Sequence, residues 1–298
     1  MPMDKGTISL EKRIKRVQSY ISRIPSFSTT TTKVLEICND PAISPNDLNK
    51  VISLDPVLTG KVLNLINSAY YALPNQITSL TRAIIMIGIN TVKNLALSTA
   101  ILDSIGQEEG SLQAFSMDDF WTHSICVGVT AKLLAGIKNI PVTEREEYFV
   151  AGLLHDLGKI PLNNCFNNEY ALALELSEKR EVSLIKTEVE VFGMDHSIVG
   201  GMIADKWQLN TSMNSAMCHH HEPEKAGDEN HQLVGIVAIA NTYANIFRIG
   251  SSGDVFPEDQ EVFDLMGKME IERETLSGLK QTIIEEIEKA KIFLANTK

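Results

Sequence analysis

Histidine is the residue type whose distribution in this chain points to metal binding or acid–base chemistry. The 298-residue sequence has seven histidines, and none lies in the first hundred residues: His123, His155, His196, His219, His220, His221 and His231. Histidine is the commonest metal ligand and the usual general acid or base near neutral pH. The clustering therefore predicts a metal or acid–base site, and the alternative is seven independent core or surface residues.

The stretch MCHHHEPEK, residues 217–225, sets three histidines in a row within the chain. On a helix, His219 would point about 100° away from His220 and about 200° away from His221. All three therefore cannot meet at one centre while the helix continues, and at least one is a bystander. Pro223 predicts a nearby helix end, where any one of the three could instead be an exposed polar residue.

The pair His155 and Asp156 lies in AGLLHDLGKIP. The apolar run before it, with Gly158 and Pro161 after it, predicts a helix that ends just past the pair. Neighbouring side chains on a helix diverge by about 100°, so the two cannot bind one ion in the same way. They can lie on either side of a groove in which one carboxylate bridges two ions. The alternative is a capping histidine beside a solvated aspartate.

Two further histidines are predicted near the starts of helical segments. His123 lies in FWTHSICVGVTAKLLAG and His196 in GMDHSIVGGMIADKW, both with Gly and Ala at close-packing positions. Each could be a ligand or a core or capping residue.

The elements that position these residues read as helices. Period-two alternation is rare, and apolar residues recur at helical spacing, as at Val51, Leu54, Leu58, Val62 and Leu65. Ser44 with Asp47 resembles a capping box, and Asp55 precedes Pro56, which suits a first helical turn. We predict an all-α, two-lobed protein.

The least regular stretch of the first half, residues 104–119, has two glycines and four acids. It predicts a boundary between an N-terminal helical lobe, residues 1–112, and a helical metal-site domain, residues 113–298. A second break at residues 248–260 precedes a C-terminal amphipathic helix with one apolar side: Leu279, Ile283, Ile284, Ile287 and Phe293. We expect this helix to pack on the body, the alternative being a partner.

Composition limits the class of protein. With 27 Lys and Arg against 38 Asp and Glu, the net charge of −11 argues against nucleic acid as a partner. The four cysteines form no CxxC pair, which is typical of reduced thiols. Apolar runs such as AIIMIGI fall short of the roughly 20 residues of a membrane span, and the N-terminus has no apolar signal region. These features predict a cytoplasmic protein that is not membrane-bound.

The order His, His-Asp, Asp-His, His-His and then VAIANTYAN resembles the HD superfamily of metal-dependent phosphohydrolases, and more closely its HDOD branch of signalling output domains. The segment SLDPVLTGKVLNLINSAYYALPNQITSLTRAIIMIGINTVKNLALS, residues 53–98, resembles HDOD proteins as well. The likeness covers roughly residues 20–246 and implies an HD-type helical core.

Carried over by position, the resemblance implies metal ligands at His123, His155 and Asp156, with Asn241 where a final aspartate is expected. The related HD-GYP phosphodiesterases add histidines that correspond to His196, His220 and His221. The GYP loop is missing, since the chain continues EPEKAGDEN, so cyclic di-GMP is a doubtful ligand.

The ligand set suits iron, manganese or zinc, as one or two ions. One centre would draw on Asp156, His196, His220 and His221. The other loses a carboxylate to the neutral amide of Asn241, which brings no charge to stabilise a dication. We therefore expect one firm centre and one weak or empty one.

Two functions follow as hypotheses. The first is a bacterial signalling output or scaffold protein with protein partners, catalytically degenerate but retaining the metal site. The second is a metal-dependent phosphohydrolase acting on a nucleotide or phosphodiester, in which Lys159 or a histidine steadies the developing charge.

Overall fold

The computed structural model describes residues 9–38, 40, 42–105, 114–256 and 259–295. Within these ranges the regular elements are α-helices and one 3-10 turn at Pro223–Lys225, without any strand. The prediction of an all-α protein is confirmed.

Six helices precede residue 106: α1 Leu10–Arg23, α2 Thr29–Ile37, α3 Pro45–Ile52, α4 Pro56–Ile66, α5 Leu80–Ile87 and α6 Ile89–Ile105. The predicted caps are confirmed, because the Ser44 hydroxyl accepts from the Asp47 N–H at 3.3 Å and the Asp55 carboxylate from the Leu58 N–H at 2.9 Å. The helical assignment of Leu54 is wrong. This side chain lies between α3 and α4 and is 77% exposed, since α4 begins anew at Pro56.

Twelve helices follow: α7 Met117–Ile137, α8 Arg145–Leu154, α9 Lys159–Cys165, α10 Asn167–Arg180, α11 Leu184–Phe192, α12 His196–Lys206, α13 Thr211–His219, α14 His231–Phe247, α15 Asp259–Lys268, α16 Arg273–Gly278, α17 Lys280–Ala290 and α18 Ile292–Ala295. The centre of this part is α7, which packs against α8, α14 and α17.

Two glycines bring α7 and α8 together. A Cβ on Gly152 would lie 2.7 Å from the Cα of Gly128, and a Cβ on Gly128 would lie 2.7 Å from the carbonyl oxygen of Phe149. Only backbones without side chains at these positions can approach so closely. The contact places His123, on α7, beside the chain that leaves α8.

Helix α1 comes early in the sequence but packs against α9 and α12. The Asn164 amide donates to the Tyr20 hydroxyl at 2.7 Å, and the rings of Phe27 and Trp207 stack at 5.1 Å. The predicted domain boundary at residues 112 and 113 lies outside the described residues and stays a prediction.

The C-terminal segment packs on the body, as expected. The Phe293 ring is 1% exposed and lies 4.9 Å from the Phe149 ring and 5.4 Å from that of Tyr70. Ile283 is also buried, but the assignment of Ile284 to the same apolar side is wrong, with 40% of it exposed. Adjacent residues on a helix point about 100° apart, so α17 buries only one of the two.

One described helix, α7, is long and apolar enough to cross a membrane by length and composition. Its 18-residue apolar window has a mean hydropathy of 1.3 and is 72% buried inside the protein. Helices α5 and α6 are long and apolar enough only when taken together, and the angle between them is 115°. The burial of α7 is that of a core helix.

Candidate metal centre

His155 and Asp156 lie in the turn between α8 and α9. The predicted helix end is displaced, because α8 already stops at Leu154, and Pro161 belongs to the first turn of α9 instead of ending a helix. Proline is tolerated in a first turn, where its missing N–H has no helical partner. Because the pair is outside a continuous helix, both side chains can face one point, and His155 Nε2 lies 3.3 Å from Asp156 Oδ2.

Gly158 brings this turn against the start of α12. A Cβ on Gly158 would lie only 1.9 Å from the carbonyl oxygen of His196 and 2.6 Å from the nitrogen of Gly200. The close approach is what places the imidazole of His196 next to Asp156, with its Nε2 at 3.3 Å from Oδ1.

Two further candidate ligands, His220 and His221, come directly after the end of α13. The helix stops at His219, so His220 and His221 follow it and their rings lie 4.3 Å apart. The Nε2 atom of His196 is 3.3 Å from that of His220 and 3.1 Å from that of His221. His219 belongs to neither group of candidate ligands, in agreement with the prediction that one of the three histidines is a bystander.

The structure thus gathers two groups that share Asp156. One contains Asp156, His196, His220 and His221, and the other His123, His155 and Asp156. In each group one ligand atom per residue lies within 4.8 Å of all the others. These His/Asp groups could hold a metal ion.

Hydrogen bonds leave the inward nitrogens free for coordination. The Nδ1 atoms of His155 and His220 lie 2.7 and 3.0 Å from the carbonyl oxygens of Gly152 and Ala216. A carbonyl oxygen only accepts, so each Nδ1 carries the hydrogen and each Nε2 has a free lone pair.

The spacing within the first group fits a transition metal. With metal–nitrogen bonds of about 2.0–2.1 Å, tetrahedral ligands lie about 3.3–3.4 Å apart and octahedral neighbours about 3.0 Å. The observed separations among His196, His220, His221 and Asp156 Oδ1 include 3.1, 3.3 and 3.6 Å. Asp156 Oδ1 is buried without a hydrogen-bond partner, as expected of an atom that a cation would satisfy.

The second group is less complete. His123 Nε2 is 3.6 Å from Asp156 Oδ2, and neither it nor His155 Nε2 has a hydrogen-bond partner. The same oxygen accepts a hydrogen bond from the ammonium of Lys159 at 2.8 Å, and that ammonium also donates to Ser252 at 2.9 Å. Asn241 is 5% exposed, and its carboxamide oxygen accepts from Asn245.

Burial and charged neighbours together set the protonation states of the ligands. Burial lowers the pKa of His123 and of His220 to about 3, and lowers that of His221 well below its usual value. Burial alone would raise the pKa of Asp156, but the neighbouring His155 and Lys159 hold it well below its usual value. At His196 burial also lowers the pKa, but the charge of the neighbouring Glu188 raises it, and the resulting pKa lies above its usual value. Neutral imidazoles at His123, His220 and His221 around an ionised carboxylate are the states that coordinate a dication.

A pocket of about 320 Å³ adjoins the first group. Its wall includes His220 and His221 as well as Asn241, His231 and Lys268. Lys159 is 1% exposed, donates from its ammonium to Asp156 and is not among the residues that line this pocket.

Three buried side chains around the ligands were not anticipated from the sequence: Glu188, Tyr170 and Ser252. Glu188 lies on α11, where it is one helical turn from both Leu184 and Phe192 on the buried face. A charged residue on an apolar face was the signal that could have identified it. Nothing in the local sequence marks Ser252, which reaches Lys159 across 93 positions of the chain.

The sequence pattern of the HDOD domain family matches residues 24–223. The chain belongs to the HDOD family. The match confirms the resemblance and includes every histidine ligand from His123 to His221, while α1 and Asn241 lie outside it. All of α15 to α18 also follow the matched region.

The sequence is similar at low identity to that of a curated protein. An uncharacterised protein of Treponema pallidum (strain Nichols) is 24% identical over 233 residues, 76% of this chain and 44% of that protein. This chain therefore spans less than half the length of that relative.

Solved structures match more of the chain. An HDOD domain protein of unknown function from Geobacter sulfurreducens has a TM-score of 0.74 at 24% identity, covering 95% of this chain and 98% of that one. A candidate phosphohydrolase from Shewanella amazonensis SB2B has 0.68 at 19%, covering 95% and 98%. A candidate signal transduction protein from Marinobacter aquaeolei VT8 has 0.69 at 17%, covering 97% and 65%. These similarities show that the chain shares the fold of the three solved structures.

Proposed function

We propose that this chain is a bacterial signalling output or scaffold protein of the HDOD type, catalytically degenerate and built around a metal site. The observation that carries the proposal is the asymmetry of the buried cluster. Asp156 lies beside three histidines on one side, whereas on the other it lies beside two histidines and the ammonium of Lys159, and Asn241, at the position of the expected final aspartate, is buried and neutral.

The first group would hold one ion of iron, manganese or zinc through Asp156, His196, His220 and His221. A dication bound there would link the turn after α8, the start of α12 and the end of α13. Ion binding to the folded state alone stabilises that state, so the ion would fix these three elements relative to one another. The second position would be weak or empty, because Asn241 supplies no charge.

The remaining features are consistent with a cytoplasmic protein whose partners are other proteins. No disulfide joins the four cysteines, all of which lie within the described residues. The acidic balance of the chain disfavours nucleic acid. Cyclic di-GMP recognition of the HD-GYP kind stays disfavoured by the segment after His221.

A second candidate function is favoured by one observation, the pocket beside His220 and His221. A metal-dependent phosphohydrolase needs a space in which a phosphate ester reaches the ion. In that case Lys159 would act through its hydrogen bond to Asp156, which keeps the shared carboxylate ionised.

Hydrolysis assays separate the two candidates. Generic phosphomonoesters, phosphodiesters and cyclic dinucleotides are offered with manganese or iron to the natural chain, Asp156→Ala and Asn241→Asp. Equal background hydrolysis by all three proteins supports the non-enzymatic role. A gain of hydrolysis confined to Asn241→Asp shows that the natural chain has a catalytically degenerate centre. Turnover by the natural chain that Asp156→Ala abolishes would instead establish the phosphohydrolase.

Partner binding tests the scaffold directly. Proteins captured from the native organism by the natural chain are compared with those captured by folded Asn241→Asp and by folded single His→Ala variants. We expect the same partner on every bait. Loss of the partner from each His→Ala variant would contradict a scaffold role that is independent of metal chemistry.

A further inference from the structure

A buried carboxylate lies directly behind the histidine that starts α12. Glu188 is 0% exposed, and its Oε2 atom is 2.6 Å from His196 Nδ1. The other carboxylate oxygen, Oε1, accepts a hydrogen bond from the hydroxyl of Tyr170 at 3.0 Å. Tyr170 is itself fully buried, so the three groups form a chain that leads from α10 through α11 to the candidate metal centre.

Burying an ionised carboxylate destabilises the folded chain unless charged neighbours and hydrogen bonds replace the water that is lost. Hydrogen bonds from His196 and Tyr170 stabilise the buried carboxylate of Glu188. An ionised carboxylate oxygen can only accept, so the Nδ1 atom that faces Oε2 carries the hydrogen and Nε2 points toward His220, His221 and Asp156.

We propose that Glu188 is a positioning residue of the metal centre, which fixes the orientation and tautomer of His196 and increases the affinity of the site for a transition metal. The inference rests on the metal centre proposed above. Metal-bound histidines commonly donate their second ring nitrogen to a carboxylate, and loss of that carboxylate typically weakens metal binding about 10- to 100-fold.

A structural role for the same side chain has to be separated from this one. Oε2 also accepts the backbone N–H of His196 at 3.0 Å, so the carboxylate helps to cap the first turn of α12. Glutamine has the same shape, and its amide oxygen still accepts from that N–H. Glu188→Gln therefore keeps the cap and the hydrogen bond from Nδ1, which the same oxygen accepts, and removes only the charge that makes His196 a stronger ligand.

The experiment is a titration of metal-free protein with Co²⁺ and, by competition with a chromophoric chelator, with Zn²⁺. For Glu188→Gln we expect the dissociation constant to rise about 10- to 100-fold and the visible Co²⁺ spectrum to shift. Tyr170→Phe, which removes only the distant hydrogen bond, should have a smaller effect of the same sign. Glu146→Gln is the matched control, because Glu146 is also buried, at 2% exposed, but pairs with Lys132.

The outcomes are distinct. No metal bound by the natural chain would overturn the metal centre itself. Metal bound equally by the natural chain and folded Glu188→Gln, with the same Co²⁺ spectrum, would overturn the role of Glu188 alone. Should the variant fail to fold, ¹⁵N NMR of the neutral His196 ring in the natural metal-free chain decides: a hydrogen on Nδ1 supports the inference, and one on Nε2 overturns it.

Discussion

Replacement of Gly158 by alanine should pull the candidate metal centre apart. The added Cβ would lie 1.9 Å from the carbonyl oxygen of His196 and 2.6 Å from the nitrogen of Gly200, and contacts below 3.0 Å are essentially never seen for a Cβ. Both atoms are backbone atoms of α12, so no side chain can rotate out of the way. The φ of −62° at Gly158 suits alanine, so the whole penalty comes from this clash.

The displacement can be estimated from these distances. To relieve the clash, α12 has to retreat by about 1 Å, and the Nε2 of His196 retreats with it from Asp156. Metal sites keep their bond lengths within about 0.2 Å, so the affinity for metal should fall by on the order of 100-fold or more. Overpacking of this kind also lowers the free energy of unfolding by about 1–3 kcal/mol.

Denaturant unfolding of the metal-free chain and metal titration of the folded chain measure the two effects. Gly60→Ala is the matched control, since Gly60 lies inside α4 with no atom within 4 Å of an added Cβ. That variant should be stabilised by about 0.5–1 kcal/mol and bind metal normally. A Gly158→Ala protein with unchanged stability and metal affinity would refute the account of how α12 positions His196.

Three other predictions concern single residues. Burial lowers the pKa of His123 to about 3, so in metal-free protein the unfolded chain binds a proton at this residue before the folded chain does. His123 should therefore lower the free energy of unfolding by about 1.4 kcal/mol for each pH unit below about 6.5. Urea unfolding between about pH 7 and pH 5 should show a smaller loss of stability for His123→Gln than for the natural chain. Phe293→Ala should cost about 3–5 kcal/mol in thermal or denaturant unfolding, against less than about 1 kcal/mol for Ile284→Ala. Asn241→Asp should raise the metal content from about one to about two ions per chain in metal analysis.

Much of the site was predictable because its residues are chemically distinctive. Histidines are few, and their order with Asp156 identifies the family, which in turn implied both groups of ligands. The all-α class followed from helical periodicity, since most helices bury one continuous face. The convergence of His155 and Asp156 could not be predicted from helix geometry, because α8 ends before the pair instead of after it.

The features that the sequence did not predict depend on contacts between residues far apart in the chain. Gly158 works through a backbone 38 positions later, at His196, and nothing in the local sequence distinguishes it from a glycine that ends a helix. Glu188 belongs to the site only because α11 packs its buried face toward α10 and the start of α12. Leu54 and Ile284 were assigned to apolar faces by spacing alone, and both are exposed because spacing gives no information on where a helix begins or which neighbour covers it.

Metal analysis of the chain purified without added metal tests the central claim most directly. We expect about one transition-metal ion per chain in the natural protein and none in Asp156→Asn, whose amide lacks the charge of the shared carboxylate. Folded natural protein that contains no transition metal, and takes up none when offered iron, manganese or zinc, would contradict it.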